Sequence, residues 1–196
     1  SNMGGGMFNS SSSNGGVFAN PTLTNCTISS NKAYKGGGMY NQSNNTEASP
    51  ILTNCTISGN FSSYWGGGVY HESNRGQSNI EFINCTITGN VATNLGGGVF
   101  LYVGYQTITP VFTNCTISGN KGGGIVTYQY KKRSYITPTF TNSIVWGNFP
   151  DGEQISSEGS RNTKGIMTNP IFSHSNIQHY AGLPAGNIGI NPEDNP

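Results

Sequence analysis

A single pattern of alternating apolar and polar residues recurs along this chain. Its clearest copy is Pro110-Val-Phe-Thr-Asn-Cys-Thr-Ile-Ser-Gly-Asn120, in which Phe112, Cys115 and Ile117 alternate with polar positions. Related copies begin near residues 21, 50, 80 and 138, and the asparagine before the cysteine position recurs after 29, 30, 30 and 28 residues. A fixed period of this size indicates a solenoid, because each unit buries its apolar face only by stacking on its neighbours.

Each period also contains a run of three glycines followed by two larger residues, as in Gly66-Gly-Gly-Val-Tyr70. These apolar runs are too short for helices, and the Gly, Asn, Ser and Thr around them interrupt helices. We therefore predict an all-β fold, a right-handed, single-stranded parallel β-helix of about six coils of roughly 30 residues. Each coil would hold three short strands, at the glycine block, at Pro-x-Leu/Phe and at Cys-Thr-Ile. Neighbouring coils would lie about 4.8 Å apart, the ordinary spacing of paired strands.

The alternation also predicts which side chains point into the solenoid. Cys55 and Ile57 share one face of a strand, and Leu52 shares that face only if the chain bends at Asn54. Asparagine tolerates the left-handed conformation of such a bend, and its amide can bond to the asparagine one coil away. We therefore predict an internal asparagine ladder beside two internal apolar stacks. The ladder comprises Asn25, Asn54, Asn84, Asn114 and Asn142, and the stacks comprise Leu23, Leu52, Phe82, Phe112 and Phe140, and Ile28, Ile57, Ile87, Ile117 and Val145.

All four cysteines, Cys26, Cys55, Cys85 and Cys115, occupy one repeat position. Parallel Cβ vectors at a rung spacing of about 4.8 Å exceed the Cβ separation of a disulfide, about 3.5–4.5 Å. Ligands aligned along one axis also cannot surround a zinc ion tetrahedrally. We predict reduced, buried thiols that act as small apolar side chains, and Ser143 at the fifth position agrees with this.

The repeat resembles a known group of proteins. The pairing of Gly-Gly-x-aliphatic and Phe-x-x-Asn blocks is similar to the repeats of bacterial polymorphic outer membrane proteins and other secreted right-handed β-helix proteins. The run Asn142-Ser-Ile-Val-Trp-Gly-Asn148 is typical of their last coils. The resemblance covers roughly residues 4–180 and implies this fold and an extracellular or bacterial cell-surface location. It supplies no catalytic residues.

Composition and charge agree with a narrow solenoid. Only 33% of the 196 residues are hydrophobic and 9% are charged, below the usual values for a compact globule. The net charge of +1 gives no reason to expect a nucleic acid partner. No apolar run reaches the length of a membrane span, so we do not expect this segment to insert into a membrane.

The chain divides into four parts. We expect an irregular or incomplete first coil at 1–20, with residues 1–2 left over from expression of an excised piece. Regular coils follow at 21–148, then a long loop and a final coil at 149–179, in which His174 and Ser175 take the asparagine and cysteine positions. Residues 180–196 form a Gly- and Pro-rich tail or cap. Open strand edges on the first coil lead us to expect end-to-end self-association.

Catalysis and cofactor binding are not expected. Glycosidases need paired carboxylates, whereas Glu47, Glu72 and Glu81 lie in or near different turns and share no repeat position. His71 and His179 have no carboxylate or cysteine at a useful spacing, so we predict no metal and no cofactor. The alternative is a carbohydrate-processing β-helix, a polysaccharide lyase or glycosidase, whose catalytic residues lie outside this segment.

Aromatic residues supply the candidate binding surface, and the expected function is that of an adhesin or display stalk. Tyr40, Tyr70 and Phe100 share one repeat position, and we expect an exposed stripe that contacts a glycan or a host or cell-surface protein. Aromatic ladders that only stiffen the solenoid, or face inward, are the alternative. The loops beside this stripe add aromatic and basic residues, which suit an acidic sugar or a protein carboxylate. They contain Tyr102, Tyr105, Tyr128, Tyr130, Lys131, Lys132, Arg133 and Tyr135. A solvated loop that only keeps the protein soluble is the alternative for these residues.

Overall fold

A computed structural model of the protein describes residues 2–12, 18–76, 78–131, 134–149, 154–159 and 170–178. Within these ranges the chain forms strands β1–β23, numbered in chain order, and no helix. Neighbouring strands are parallel and come from successive coils, as the register Leu52, Phe82, Phe112 shows. The predicted all-β parallel solenoid, with its coil length of roughly 30 residues, is therefore confirmed.

Three six-stranded sheets form the walls of the solenoid. The glycine sheet, whose strands follow the glycine blocks, contains β1 (Met7–Ser12), β5 (Met39–Asn44), β9 (Val69–Ser73), β13 (Val99–Val103), β17 (Ile125–Gln129) and β21 (Ile155–Gly159). The phenylalanine sheet contains β2 (Thr22–Thr24), β6 (Ile51–Thr53), β10 (Glu81–Ile83), β15 (Val111–Thr113), β19 (Thr139–Thr141) and β22 (Ile171–Ser173). The cysteine sheet contains β3 (Thr27–Ser29), β7 (Thr56–Ser58), β11 (Thr86–Thr88), β16 (Thr116–Ser118), β20 (Ile144–Trp146) and β23 (Asn176–Ile177).

Two smaller sheets cover the turns on either side of the glycine sheet. The first contains β4 (Lys32–Lys35), β8 (Phe61–Trp65) and β12 (Val91–Ala92), and the second contains β14 (Thr107–Ile108) and β18 (Tyr135–Ile136). One strand is unexpected, because β21 lies within 149–165, which the sequence indicated as a loop. That stretch lacks a glycine block, but Ile155 pairs with Ile125 and is buried in the same internal column.

The interior follows the predicted alternation. Phe82, Phe112 and Phe140 are fully buried and stack at ring-centroid distances of 5.1 and 4.9 Å. Ile57 and Ile87 occupy the adjacent internal column in register. His174 and Ser175 take the predicted positions, since Ser175 Oγ accepts from the backbone N–H of Ser143 at 3.1 Å. The predicted apolar stacks are therefore confirmed, while the predicted tail at 180–196 lies outside the described residues.

The predicted internal asparagine ladder lies instead on the outside. Its five members, Asn25, Asn54, Asn84, Asn114 and Asn142, are exposed. The bend is as predicted: Asn84 has a φ of 53°, and its Nδ2 donates to Asn54 Oδ1 at 3.1 Å. The prediction of direction was wrong because the residue at the apex of a convex turn points its Cβ away from the core. We call this column the outer ladder.

A second asparagine column, the inner ladder, is the one inside the solenoid, and the sequence analysis missed it. It comprises Asn31, Asn60, Asn90, Asn120 and Asn148. Asn90 is fully buried, and its Oδ1 accepts from the backbone N–H and the Nδ2 of Asn60, at 3.0 and 2.9 Å. Its Nδ2 donates to Ile57 O and to Asn120 Oδ1. The signal was present in the sequence, because a glycine or serine precedes the asparagine in every copy.

The glycine blocks leave space for this inner ladder. A Cβ on Gly68 would lie 2.6 Å from Gly98 O and 3.1 Å from the Cγ of Asn90. The first glycine of each block has a different role, since Gly66 has a φ of 67°, which favours glycine. Glycine is therefore required twice in each block, once by backbone conformation and once by close packing of coil on coil.

Candidate functional site

The predicted exposed aromatic stripe is buried. Tyr40, Tyr70 and Phe100 are at most 1% exposed, although they point away from the aliphatic core. Their rings stack on one another at 4.9 and 5.3 Å, and Trp65 covers Phe100 at 4.9 Å. The prediction of exposure was wrong because rings stacked at the coil spacing hide their faces from solvent and neighbouring turns cover their edges. No platform for face-on sugar stacking exists at these three rings.

The two aromatic stretches meet at one edge of the glycine sheet, as the sequence indicated. The prediction of loops was wrong for Tyr102 and Tyr128, which lie in β13 and β17 because the strands extend further than the glycine blocks suggested. Tyr102 and Tyr128 stack at 5.7 Å, and Tyr130 lies 6.4 Å from both Tyr102 and Tyr105. Tyr105 and Tyr130 are 44% and 41% exposed. Four tyrosines therefore form one accessible cluster.

Two cations complete this cluster. Lys131 Nζ lies 4.6 Å from the ring centre of Tyr130 and 5.7 Å from that of Tyr105. The guanidinium of Arg75 lies 5.2 Å from the ring centre of Tyr105. We call Arg75, Tyr102, Tyr105, Tyr128, Tyr130 and Lys131 the cationic corner. The sequence analysis missed Arg75, although it precedes Tyr105 by 30 residues, one period.

The remaining predicted loop residues are not assigned to this cluster. Tyr135 is exposed and belongs to β18, where it pairs with Thr107. Lys132 and Arg133 lie outside the described residues. The basic character of the corner therefore rests on Arg75 and Lys131, which come from two different coils.

The electrostatics of the corner favour an anionic or acceptor group. In the part of the chain that the structure describes, neither Arg75 nor Lys131 forms an ion pair with a carboxylate. Aromatic rings that stack face to face present their electropositive edges outward, and tyrosine hydroxyls can donate. The corner thus offers two cations and several donors.

Glu72 forms the acidic border of the corner. It pairs with Tyr102 across the strands, and the hydroxyl of Tyr40 donates to its Oε2 at 2.5 Å. Burial, followed by the nearby Glu72 carboxylate, raises the pKa of Tyr40, Tyr70 and Tyr102. These tyrosines therefore stay protonated, and the hydroxyl of Tyr40 is the one that donates to Glu72.

The cysteine column is reduced, as predicted. All four cysteines are free, and Cys55, Cys85 and Cys115 are 1% exposed. Each buried thiol also donates to backbone carbonyls, as Cys85 does to Leu52 O and Ile83 O at 3.3 Å. The hydrogen bond with Cys85 and burial raise the pKa of the Cys115 thiol. This column belongs to the core and lies apart from the corner.

Two carboxylates share a groove on another face. Glu47 and Glu81 line a groove of about 400 Å³ together with Asn20 and Ser49. The sequence placed them in or near different turns. In the structure Glu81 begins β10 and pairs with Ile51 of the coil before, which brings it close to the turn that carries Glu47. Asn20 Nδ2 donates to Glu47 Oε1 at 3.3 Å.

The described residues contain neither a metal-binding cluster nor a membrane-spanning helix. No group of three or more His, Cys, Asp or Glu side chains is placed to hold a metal ion. The described part of the chain likewise contains no helix of the length and apolarity that crossing a membrane requires.

Comparison with known proteins identifies the fold family. A family model described as a right-handed β-helix region matches residues 1–145, about three quarters of the chain. The chain belongs to the right-handed β-helix family. No curated protein and no solved structure matches it. The right-handedness predicted from the repeat agrees with this family, whose fold by itself carries no assignment of function.

Proposed function

We propose that this β-helix is a non-enzymatic, adhesin-like recognition segment of an extracellular or bacterial cell-surface protein, and that its cationic corner binds acidic glycans. The observation that carries the proposal is the convergence of Arg75 and Lys131 on Tyr105. Recognition groups commonly lie on loops that a rigid scaffold positions. The repeat pattern supports the location, because it resembles that of secreted surface proteins.

The ligand class follows from the chemistry of the corner. Arginine binds carboxylate or sulfate groups through paired donors, and lysine adds a second charge. The tyrosine edges and hydroxyls suit the ring oxygens and hydroxyls of a sugar. The nearby Glu72 accepts from Tyr40 and disfavours a ligand of dense, continuous negative charge at that side. A sugar chain with spaced acidic groups fits both features.

A glycan array tests the proposal with three proteins. Wild type should bind uronate, sialylated or sulfated glycans in preference to their neutral counterparts. The double variant Arg75→Gln/Lys131→Gln should lose at least about tenfold in affinity, because each charge-assisted contact contributes about 1.5–3 kcal/mol. Lys121→Gln is the matched control, since Lys121 is an exposed cation outside the corner.

Two results would overturn the proposal. If the wild type binds no acidic glycan, the proposed ligand class is wrong. If the double variant binds as well as the wild type, the cationic corner is not the binding site. Selective binding to an acidic peptide probe in the same assay would assign the corner to a protein partner instead.

A carbohydrate-processing enzyme is the second candidate, favoured by the groove that Glu47 and Glu81 share. Glycosidases use two carboxylates on either side of the scissile bond. Release of reducing sugars from polysaccharides by wild type, lost in Glu81→Gln but kept in Arg75→Gln/Lys131→Gln, would support it. Lack of turnover on a broad panel would favour the binding proposal.

A further inference from the structure

His71 is buried inside the solenoid in a polar column. It is 0% exposed and pairs in register with Asn41 of β5, which in turn pairs with Asn9 of β1. Each of these three side chains donates to a backbone carbonyl seven or ten residues further on. Asn9 Nδ2 donates to Ala19 O, Asn41 Nδ2 to Ala48 O, and His71 Nε2 to Ser78 O, at 2.8, 2.7 and 3.0 Å.

These carbonyls fix the protonation state of the ring. A carbonyl can only accept, so the amide nitrogens of Asn9 and Asn41 must face Ala19 O and Ala48 O. Asn41 Oδ1 then accepts from Asn9, and the second hydrogen on Asn41 Nδ2 points at His71 Nδ1, 2.9 Å away. His71 is therefore neutral, with Nδ1 as acceptor and Nε2–H as donor. A second proton on Nδ1 would face another donor.

Among the described residues, no group that faces His71 compensates a positive charge. Its partners are neutral: Asn41 on β5, Leu101 on β13, and Ala48 and Ser78 on the adjoining turns. The charged residues nearest along these elements lie elsewhere. Glu72 is on the outer face of β9 with Tyr40, Glu47 bonds to Asn20, and Arg75 stacks on Tyr105. Burial consequently lowers the pKa of His71 to about 4.

The turn that His71 holds carries Arg75. Its beginning is fixed by Ser73, whose Oγ donates to Gly76 O at 2.5 Å, and by Gly104 N, which donates to Ser73 O. Its far end is fixed by the bond from His71 to Ser78, and Ser78 Oγ donates to Ala48 O. Protonation at Nδ1 keeps the Nε2–H bond to Ser78 O but sets a second donor against Asn41 Nδ2. The ring must then shift away from Asn41, and this shift displaces Ser78 and the turn from which Arg75 reaches Tyr105.

We propose that His71 is an acid-sensitive brace of the cationic corner: its protonation loosens the turn that carries Arg75, and the corner releases its acidic ligand. This regulation rests on the proposed function for its ligand. The release comes from lost positioning of the Arg75 guanidinium beside the Tyr105 ring. Histidine is suited to this role because its neutral ring fits the buried polar column, and burial moves its change of charge down to about pH 4.

Hydrogen exchange of the ligand-free protein tests the brace directly. After correction for the intrinsic rate, the backbone amides of Asn74 and Asn79 should exchange at least about tenfold faster at about pH 4.5 than at about pH 7.5. These two amides flank the turn and donate to Ser43 O and Ser49 Oγ. His71→Asn should remove this pH dependence, because asparagine at this position continues the Asn9–Asn41 column and stays neutral. An equal pH dependence in His71→Asn, or none in wild type, overturns the proposal.

Binding tests the consequence with a heparin hexasaccharide, whose sulfates stay ionised in acid. Wild-type affinity should fall about tenfold from about pH 7.5 to about pH 3, one unit below the pKa of His71, and that of His71→Asn should change less than about twofold. Absence of heparin binding at neutral pH counts against the proposed ligand. The hydrogen-exchange experiment then still tests whether His71 braces the turn. Equal loss of affinity in both proteins overturns the release.

If His71→Asn does not fold, an NMR titration of the wild type alone tests the proposal. The ring resonances of His71 should titrate together with the loss of protection at Asn79, well below the ordinary histidine pKa of about 6.5. Titration of His71 near that ordinary value would overturn the brace.

Discussion

The outer and inner asparagine ladders use the same residue at the same period, yet their environments are opposite. Asn84 of the outer ladder is exposed, with left-handed backbone and one amide contact to each neighbouring coil. Asn90 of the inner ladder is buried, and its amide satisfies a backbone N–H and a backbone carbonyl as well as its ladder neighbours. The outer ladder thus turns the chain, and the inner ladder supplies partners to buried backbone groups that the turn leaves unpaired.

The largest difference between the ladders should appear on truncation to alanine. Asn90→Ala removes the partners of Asn60 N and Ile57 O inside the core. We expect a loss of about 3–5 kcal/mol in the free energy of unfolding, since each stranded buried group costs about 1–3 kcal/mol. Urea unfolding measures this, with Asn84→Ala as the matched control. Equal losses in the two variants would contradict the assignment of inner and outer ladders.

The polar column at His71 adds a pH dependence that neither asparagine ladder has. The folded pKa of about 4 lies below the ordinary value of 6.5, so the unfolded chain binds the proton more readily. The contribution of neutral His71 to the free energy of unfolding is fully present above about pH 6.5. It declines by about 3 kcal/mol as the pH falls towards 4. The difference between wild type and His71→Asn in urea unfolding, followed against pH, isolates this contribution. A difference that does not change with pH would disprove it.

The close packing beneath the inner ladder is tested at Gly68. A Cβ at this position meets Gly98 O and the side chain of Asn90, both of which are held by the ladder. We expect Gly68→Ala to cost about 1–3 kcal/mol, the usual range for overpacking. Gly147→Ala is a useful contrast: no atom lies within 4 Å of its added Cβ, so only the left-handed backbone, with a φ of 61°, opposes it. Melting temperatures that rank Gly147→Ala below Gly68→Ala would contradict the packing argument.

The smallest expected losses of stability concern the outer ladder, where two substitutions distinguish the contribution of backbone conformation from that of the amide hydrogen bonds. Asn84→Ala should cost about 1–2 kcal/mol, because alanine adopts the left-handed conformation less readily. Asn84→Gly removes the same amide but accepts the conformation, and we expect a loss below about 0.5 kcal/mol. A loss in the glycine variant as large as in the alanine variant would show that the exposed amide contacts, and not the bend, stabilise this turn.

The cationic corner shows which contacts the repeat pattern can predict. The grouping of Tyr102 and Tyr105 with Tyr128 and Tyr130 was predictable, because equal positions in successive coils must stack. Arg75 was predictable by the same rule, one period before Tyr105, but it lies in a polar loop without aromatic neighbours in the sequence. The burial of Tyr70 was not, since its cover comes from Trp65 and Phe100 of other turns.

The sequence by itself determined the parallel β-solenoid, its coil length, the internal columns of Phe112 and Ile117, and the reduced cysteines. These follow from a period and an alternation, which local residue types fix in every coil. Only the tertiary structure decided which asparagine faces inward and that His71 is buried between Asn41 and Ser78. The reason is geometric: the curvature of the coil sets the direction of a turn residue, and contacts between coils, rather than neighbours in the chain, decide what covers it.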